Sequence, residues 1–150
     1  MIINDSNINS KMLFIIKTAK DLYDKTIEDS AKKCKISKKE ADILLFFSNN
    51  KQFDNASSVV LYRGFSKAYV SKALTLLEKR GLVELVGDSN DKRCQHVIIK
   101  KEANKKIKIL KDGQRQFFET LREGITEEEF LLHVSIIEKI SKNIIKKMKG

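Results

Sequence analysis

The sequence has no proline and no tryptophan, only six glycines and two cysteines, and few aromatic residues. Each shortage excludes something. Proline is the strongest helix breaker, so its absence favours a mostly helical chain. Two cysteines, Cys34 and Cys94, cannot build a disulfide framework, which fits a reducing compartment. Long apolar runs are missing too. Met12–Ile16 and Ile43–Phe47 are the longest, far short of the roughly 18–20 residues needed to cross a bilayer. No segment joins a Trp/Phe-rich apolar face to a basic polar one, which argues against a membrane surface as partner. The opening Met-Ile-Ile-Asn-Asp-Ser-Asn lacks the basic start, apolar centre and small-residue cleavage site of a signal peptide. A soluble, cytoplasmic protein with no membrane partner is expected. A Gly-rich phosphate loop, Gly-x-Ser-x-Gly and His-Glu-x-x-His are also missing. No catalytic residue and no cofactor is therefore expected, and an enzyme is disfavoured.

What is present is charge, in excess of one sign. Thirty Lys and Arg face twenty Asp and Glu, a net of +10 over 150 residues. That length holds one hydrophobic core and little more. Half of the excess lies in the middle third. Residues 51–101 carry ten basic and five acidic side chains, a net of +5. Such a balance suits a polyanionic partner, because phosphate contacts release condensed counterions. A solvated Lys-rich surface is the plainer alternative, since 25 of the 30 basic residues are lysines.

Apolar spacing predicts the elements. Ile8, Met12, Ile15, Ala19, Leu22 and then Thr26 or Ile27 recur at three and four residues, a helix over about 8–30. Its apolar stripe needs a partner to cover it. Ser37 with Glu40 forms a capping box opening a helix to about Ser48, apolar nearly all round and so central. Asp54 or Asn55 can cap a short helix ending near Tyr62, before Arg63-Gly64. Ser66 caps the next, which runs to Arg80 and stops at Gly81. Leu82–Val86 and Gln95–Lys100 read as two strands around a polar tip. A long helix over about 102–122 follows, and Gly124 breaks it. Thr126 and Glu129 then cap a last helix, with Phe130, Val134, Ile137, Ser141, Ile144 and Met148 at near-heptad spacing.

The helix over 66–80 carries the chemistry. Val70, Ala73, Leu74 and Leu77 share one arc and must face the core, while Ala68, Lys72, Thr75 and Lys79 lie opposite. Small side chains permit close approach to a groove, and Lys, Ser, Thr and Tyr reach phosphates or base edges. A short helix, a turn containing Gly64 and then this helix is the order of a helix-turn-helix. The hairpin after it bears Lys92 and Arg93 at its tip, within reach of an adjacent minor groove, where a narrow groove concentrates negative potential. Asp91 either orients the Arg93 guanidinium or builds the turn, and both can hold together. Ser71, Lys72 and Thr75 are the expected groove contacts. Ser66, Lys67 and Tyr69 are expected mainly at phosphates, and Arg93, with Asp91 and Lys92, at the minor groove. The remaining candidates point to no site. Cys94-x-His96 lacks a third metal ligand in sequence, so no metal is expected. Cys34 shows no clear sign of redox sensing, and Glu127-Glu128-Glu129 complement a helix dipole.

The run from Ser66 to Val83, with its Val-Ser-Lys…Leu-Glu-Lys-Arg-Gly-Leu-Val core, and the Asp91-Lys92-Arg93 tip resemble the MarR family of winged helix-turn-helix regulators. The resemblance implies a mainly α fold with a small β-hairpin wing and N- and C-terminal dimerisation helices. Residues 1–150 would form a single domain, with 1–35 and 104–150 as dimerisation helices and 36–103 as the DNA-binding region. It further implies a homodimer on a pseudo-palindromic double-stranded DNA operator, and repression released by a small-molecule effector. The sequence departs from the family where a Leu-Thr-x-x-Gly turn is common. Here Ile99-Lys100-Lys101-Glu102-Ala103 stands instead, leaving the start of the next helix unset. The rival readings are an architectural or RNA-binding winged helix without sequence specificity, and a helical interaction scaffold.

Overall fold

The computed structural model describes residues 5–150, with side chains from Asn7 onward. Residues 1–4, which include most of the stretch read as lacking a leader, lie outside the described residues. The chain forms two compact units, residues 1–117 and 118–150.

The first unit is built on five helices and a hairpin. Its helices are α1 (Asp5–Cys34), α2 (Lys38–Asn49), α3 (Ala56–Arg63), α4 (Lys67–Lys79) and most of α5 (Asn104–Arg122). Strands β1 (Val83–Gly87) and β2 (Gln95–Ile99) pair antiparallel, from Val83 opposite Ile99 to Gly87 opposite Gln95. The mainly helical, winged expectation is met. A 3-10 turn over Lys101–Ala103 leads from the hairpin into α5. That turn stands where the family's Thr and Gly are missing, so α5 begins at Asn104 rather than near Glu102. The first helix runs four residues past the expected end. Lys35 takes a left-handed φ of 56° and Ile36 N–H returns to the Ala31 carbonyl, closing the helix without the glycine that usually marks this point.

Helix α2 is the centre of the core. Ile43, Leu44 and Leu45 are sealed from solvent together with Ile27 of α1, Val59 of α3, Val70 and Leu77 of α4, and Leu110 of α5. The capping box that opens α2 forms as the sequence implies: Ser37 Oγ accepts from Glu40 N–H, and the Glu40 carboxylate accepts from Ser37 N–H. Helix α5 approaches α1 closely at Gly113. A methyl group there would lie 2.1 Å from Ser30 Oγ and 3.3 Å from Ser30 Cβ. A Gly113→Ala variant gains helix propensity of about 1 kcal/mol, but it must displace a buried hydroxyl that donates to the Thr26 carbonyl. The expected net loss by urea denaturation is about 1–2 kcal/mol, with Ser30→Ala in the same chain recovering part of it.

The second unit holds the end of α5, a turn through Gly124 at φ 76°, and α6 (Glu127–Lys149). The Thr126–Glu129 capping box forms, and Arg122 holds Glu127 at 2.8 Å while lying over the Phe130 ring. No residue of α6 is buried. Leu131, Leu132, Ile137, Ile144 and Ile145 are all about half exposed or more.

Candidate nucleic-acid interface

Helices α3 and α4 meet at a tight corner. Asn55, rather than Asp54, caps α3, its Oδ1 accepting from Ser58 N–H at 3.1 Å. Gly64 ends α3 with a left-handed φ of 66°, a conformation that costs a side chain about 1–2 kcal/mol. Ser66 opens α4, its Oγ accepting from Tyr69 N–H. Val70, Ala73, Leu74 and Leu77 point inward, which leaves Lys67, Ala68, Ser71, Lys72, Thr75 and Lys79 on the exposed face. The arc expected from the sequence is the arc observed. Among the described residues, Ser71 and Lys72 make no side-chain hydrogen bond within the chain. Thr75 Oγ1 donates to the Ser71 carbonyl at 3.0 Å, so its hydroxyl faces outward as an acceptor.

Tyr69 is placed differently from its neighbours. Its hydroxyl donates to Asp42 Oδ2 at 2.8 Å, its ring packs on Phe65 with centroids 4.7 Å apart, and Lys39 lies over the ring. Burial and the Asp42 carboxylate push the phenol well above its ordinary range, so the proton stays on the oxygen. Asp42 is itself fully buried. Lys38 reaches it at 2.8 Å and also holds Asp24 of α1 at 3.2 Å, while Arg63 stands 3.9 Å from the other oxygen. Burial works against the Lys38 charge, but these hydrogen bonds outweigh it and raise its pKa. The result is a chain of polar contacts from α1 through α2 to the first turn of α4.

A second buried acid fixes the far end of α4. Glu40, read from the sequence as a cap only, is also sealed from solvent, and its Oε1 accepts from Arg80 Nε at 2.5 Å. Burial would raise its pKa; the hydrogen bonds from Ser37 and Arg80 prevail and lower it. Helix α4 is thus tied to α2 at both ends.

The wing tip is built by its aspartates. Asp88 Oδ1 accepts from Asn90 N–H at 2.8 Å and Asp91 Oδ1 from Arg93 N–H at 2.9 Å. Of the two roles open to Asp91, the structure displays the turn-building one. Lys92 and Arg93 are exposed, and among the described residues neither side chain has an ion-pair partner. The wing is held to the body by Val97 N–H donating to the Asp54 carbonyl, and by Glu78 Oε2 of α4 accepting from Leu85 N–H. Cys34 is buried at the end of α1, its thiol toward the Lys106 carbonyl, and burial raises its pKa. That is the opposite of what a reactive thiolate needs. His96, considered beside Cys94 in the sequence, lies instead between Asp54 and Asp88. A half-open cleft of about 360 Å³ lies among α2, α3 and α5, lined by Phe46, Asn49, Phe53, Tyr62, Arg63 and Gln114 among others.

Two antiparallel strands following a capped, outward-facing helix and its short partner define a winged helix-turn-helix protein. Residues 35–93 match the model of the MarR family. No curated protein matches the chain by sequence. Among solved structures, a MarR-family transcriptional regulator from Silicibacter pomeroyi superposes with a TM-score of 0.79 at 16% identity, covering 96% of this chain and 97% of that one. A Listeria monocytogenes protein described as a MarR-family transcriptional regulator, solved with a 26-mer DNA, gives 0.78 at 18% identity, covering 90% of this chain and 89% of that one. An S. aureus MepR–DNA complex gives 0.71 at 14% identity, over 87% of this chain and 96% of that one. The resemblance to the MarR family stands over residues 35–93, and the fold is the winged helix-turn-helix of these solved structures. Among the described residues, no helix is long and apolar enough to cross a membrane.

Proposed function

We propose that the chain is a cytoplasmic, homodimeric regulator that binds a pseudo-palindromic duplex by sequence and represses until a small effector binds. The observation that carries this reading is the exposed face of α4, held at both ends by buried acids while Ser71, Lys72 and Thr75 stay outward. Preorganisation of that kind suits a helix that must enter a major groove in one register. Ser66 and Lys67, at the N-terminus of α4, suit backbone phosphate, where helix dipole and lysine charge act together. Tyr69, also expected beside phosphate, anchors the helix to Asp42. Arg93 and Lys92 enter the minor groove, and Asp91 shapes the tip that presents them. The relatives solved with DNA support the same partner.

Unburied apolar surface supports the dimer. Met12, Leu13, Phe14, Ile15 and Ile16 of α1 are between 47% and 69% exposed, and α6 buries none of its stripe. Apolar surface left open on either helix at this scale marks an interface, and a self-complementary pair of such helices is the simplest occupant. Two reading heads then meet half-sites about 34 Å apart or a multiple of that. The cleft beside Arg63 offers room for a small effector. Such a ligand acts only if it binds the two spacings of the reading heads unequally.

Selection of bound sequences from random duplexes tests the reading. A palindrome with about 10³-fold preference over random DNA is expected, and a preference under about tenfold would favour an architectural role. On the selected site, Arg93→Ala is expected to weaken binding by about 1–3 kcal/mol, and Lys72→Ala to lower the salt slope by about one. Wild-type behaviour of both variants would overturn the site assignment.

A further inference from the structure

His96 sits where carboxylates from two separate segments converge. Its Nδ1 lies 2.8 Å from Asp54 Oδ2 in the α2–α3 loop, and its Nε2 lies 3.0 Å from Asp88 Oδ2, just beyond β1. Asp54 and Asp88 are the charged groups that face the ring, one from the body and one from the tip. The neighbouring Val97 N–H donates to the Asp54 carbonyl, so main chain and side chain join the wing to the same loop residue. A neutral imidazole has one N–H and one lone pair. It can serve only one of these carboxylates, and its other nitrogen then turns a lone pair toward an anionic oxygen. Only the imidazolium donates to both.

We propose that His96 is a protonation-dependent clamp: charged, it ties the wing to the α2–α3 loop and positions Lys92 and Arg93 for DNA; neutral, it lets one side of the tie go. The consequence for DNA rests on the function proposed above, whereas the clamp itself does not. The hydrogen bonds to Asp88 and Asp54 hold the His96 pKa above its ordinary 6.5. Asp88 is held below its ordinary value, first by the Asn90 N–H and then by His96. A histidine whose folded pKa is raised contributes fully below its unfolded value, and that contribution is lost as pH rises through the folded one. The clamp therefore weakens on the alkaline side of about 6.5. DNA affinity falls with it.

Attraction alone would act differently. Asp54→Ala removes a negative charge from a protein facing a polyanion, so a purely electrostatic role predicts tighter binding, while loss of the clamp predicts weaker binding. Histidine-labelled full-length protein, titrated by NMR without DNA and assigned with His96→Gln, reports the clamp directly. His96 is expected to titrate above 6.5 and to move toward that value in Asp54→Ala. A wild-type value at or below 6.5, or no movement in the variant, overturns the proposal. With a selected duplex, wild-type affinity is expected to fall about fivefold from pH 6 to pH 8.5. His96→Gln is expected to flatten that profile, and Asp54→Ala to bind more weakly than wild type at pH 6. A full pH profile in His96→Gln, or tighter binding by Asp54→Ala, overturns the proposed effect on DNA. If no duplex is bound at any pH, the DNA reading fails and the NMR titration alone decides the clamp.

Discussion

Aspartates at Ile137 and Ile144 are expected to convert the chain to a monomer at micromolar concentration and to weaken its binding to a two-half-site duplex by about 10²-fold or more. Both residues lie on the α6 stripe, seven positions apart, and are 48% and 53% exposed in the single chain. A carboxylate at either place is solvated when the chain is alone and costs the fold little. In a helix-to-helix interface the same carboxylate is desolvated without a partner, a penalty of several kcal/mol for each copy. The substitutions thus act on association far more than on folding. Light scattering gives the mass, and circular dichroism verifies that helix content is unchanged. Affinity falls because the second reading head no longer arrives at the high effective concentration that the first head's binding provides. A dimer that persists would show that α6 is not the interface. A monomer that keeps full affinity would remove the two-half-site arrangement.

Much of this architecture can be read from local sequence, and the exceptions have a common cause. Capping boxes join residues three apart, so Ser37 with Glu40 and Thr126 with Glu129 mark helix starts in sequence as they do in space. The inward arc of α4 follows from helical period alone, and it fixes which side chains face outward. Contacts between distant segments leave no such local signal. Glu40 reads as a cap, yet its burial depends on Arg80, forty residues on; Asp42 is inconspicuous until Tyr69 and Arg63 close over it. Two acids on a helix otherwise apolar nearly all round were the available clue, since buried carboxylates need partners. The pairing of His96 with Asp54 crosses forty-two residues and has no periodic signature. Helix α1 outran its expected end because Lys35 adopts the left-handed turn usually left to glycine. Among the candidate contacts, Tyr69 illustrates the limit well: its type suits phosphate, and only its neighbours in space reveal that its hydroxyl donates to Asp42.

Arg80→Ala is expected to be the most destabilising of the single surface-residue changes, lowering stability by about 2–3 kcal/mol. Glu40 has no solvent exposure, whereas Arg80 is 46% exposed. Removing the arginine therefore takes away the solvated partner and leaves the buried charge. Two hydrogen bonds from Ser37 remain, and solvent already screens part of the pair, which holds the loss below the upper end seen for broken buried pairs. For a chain of this length the melting temperature is expected to fall by about 4–12 °C. Arg80→Lys is expected to recover only part of this, since an ammonium restores the charge without the guanidinium's fixed geometry. The pH dependence identifies the cause. Glu40 has its pKa lowered in the folded chain, so its contribution is present above the ordinary carboxylate value near 4.5 and is lost as pH falls through the lower folded value. The gap between wild type and Arg80→Ala is accordingly expected to be constant from pH 6 to 8 and to close in acid. A gap that does not narrow in acid would mean that the arginine stabilises through its packed alkyl stem rather than through Glu40. Function is expected to follow the same interaction. Arg80 ends the helix whose exposed face carries Ser71, Lys72 and Thr75, so loosening that end lowers DNA affinity even at temperatures where the variant remains folded.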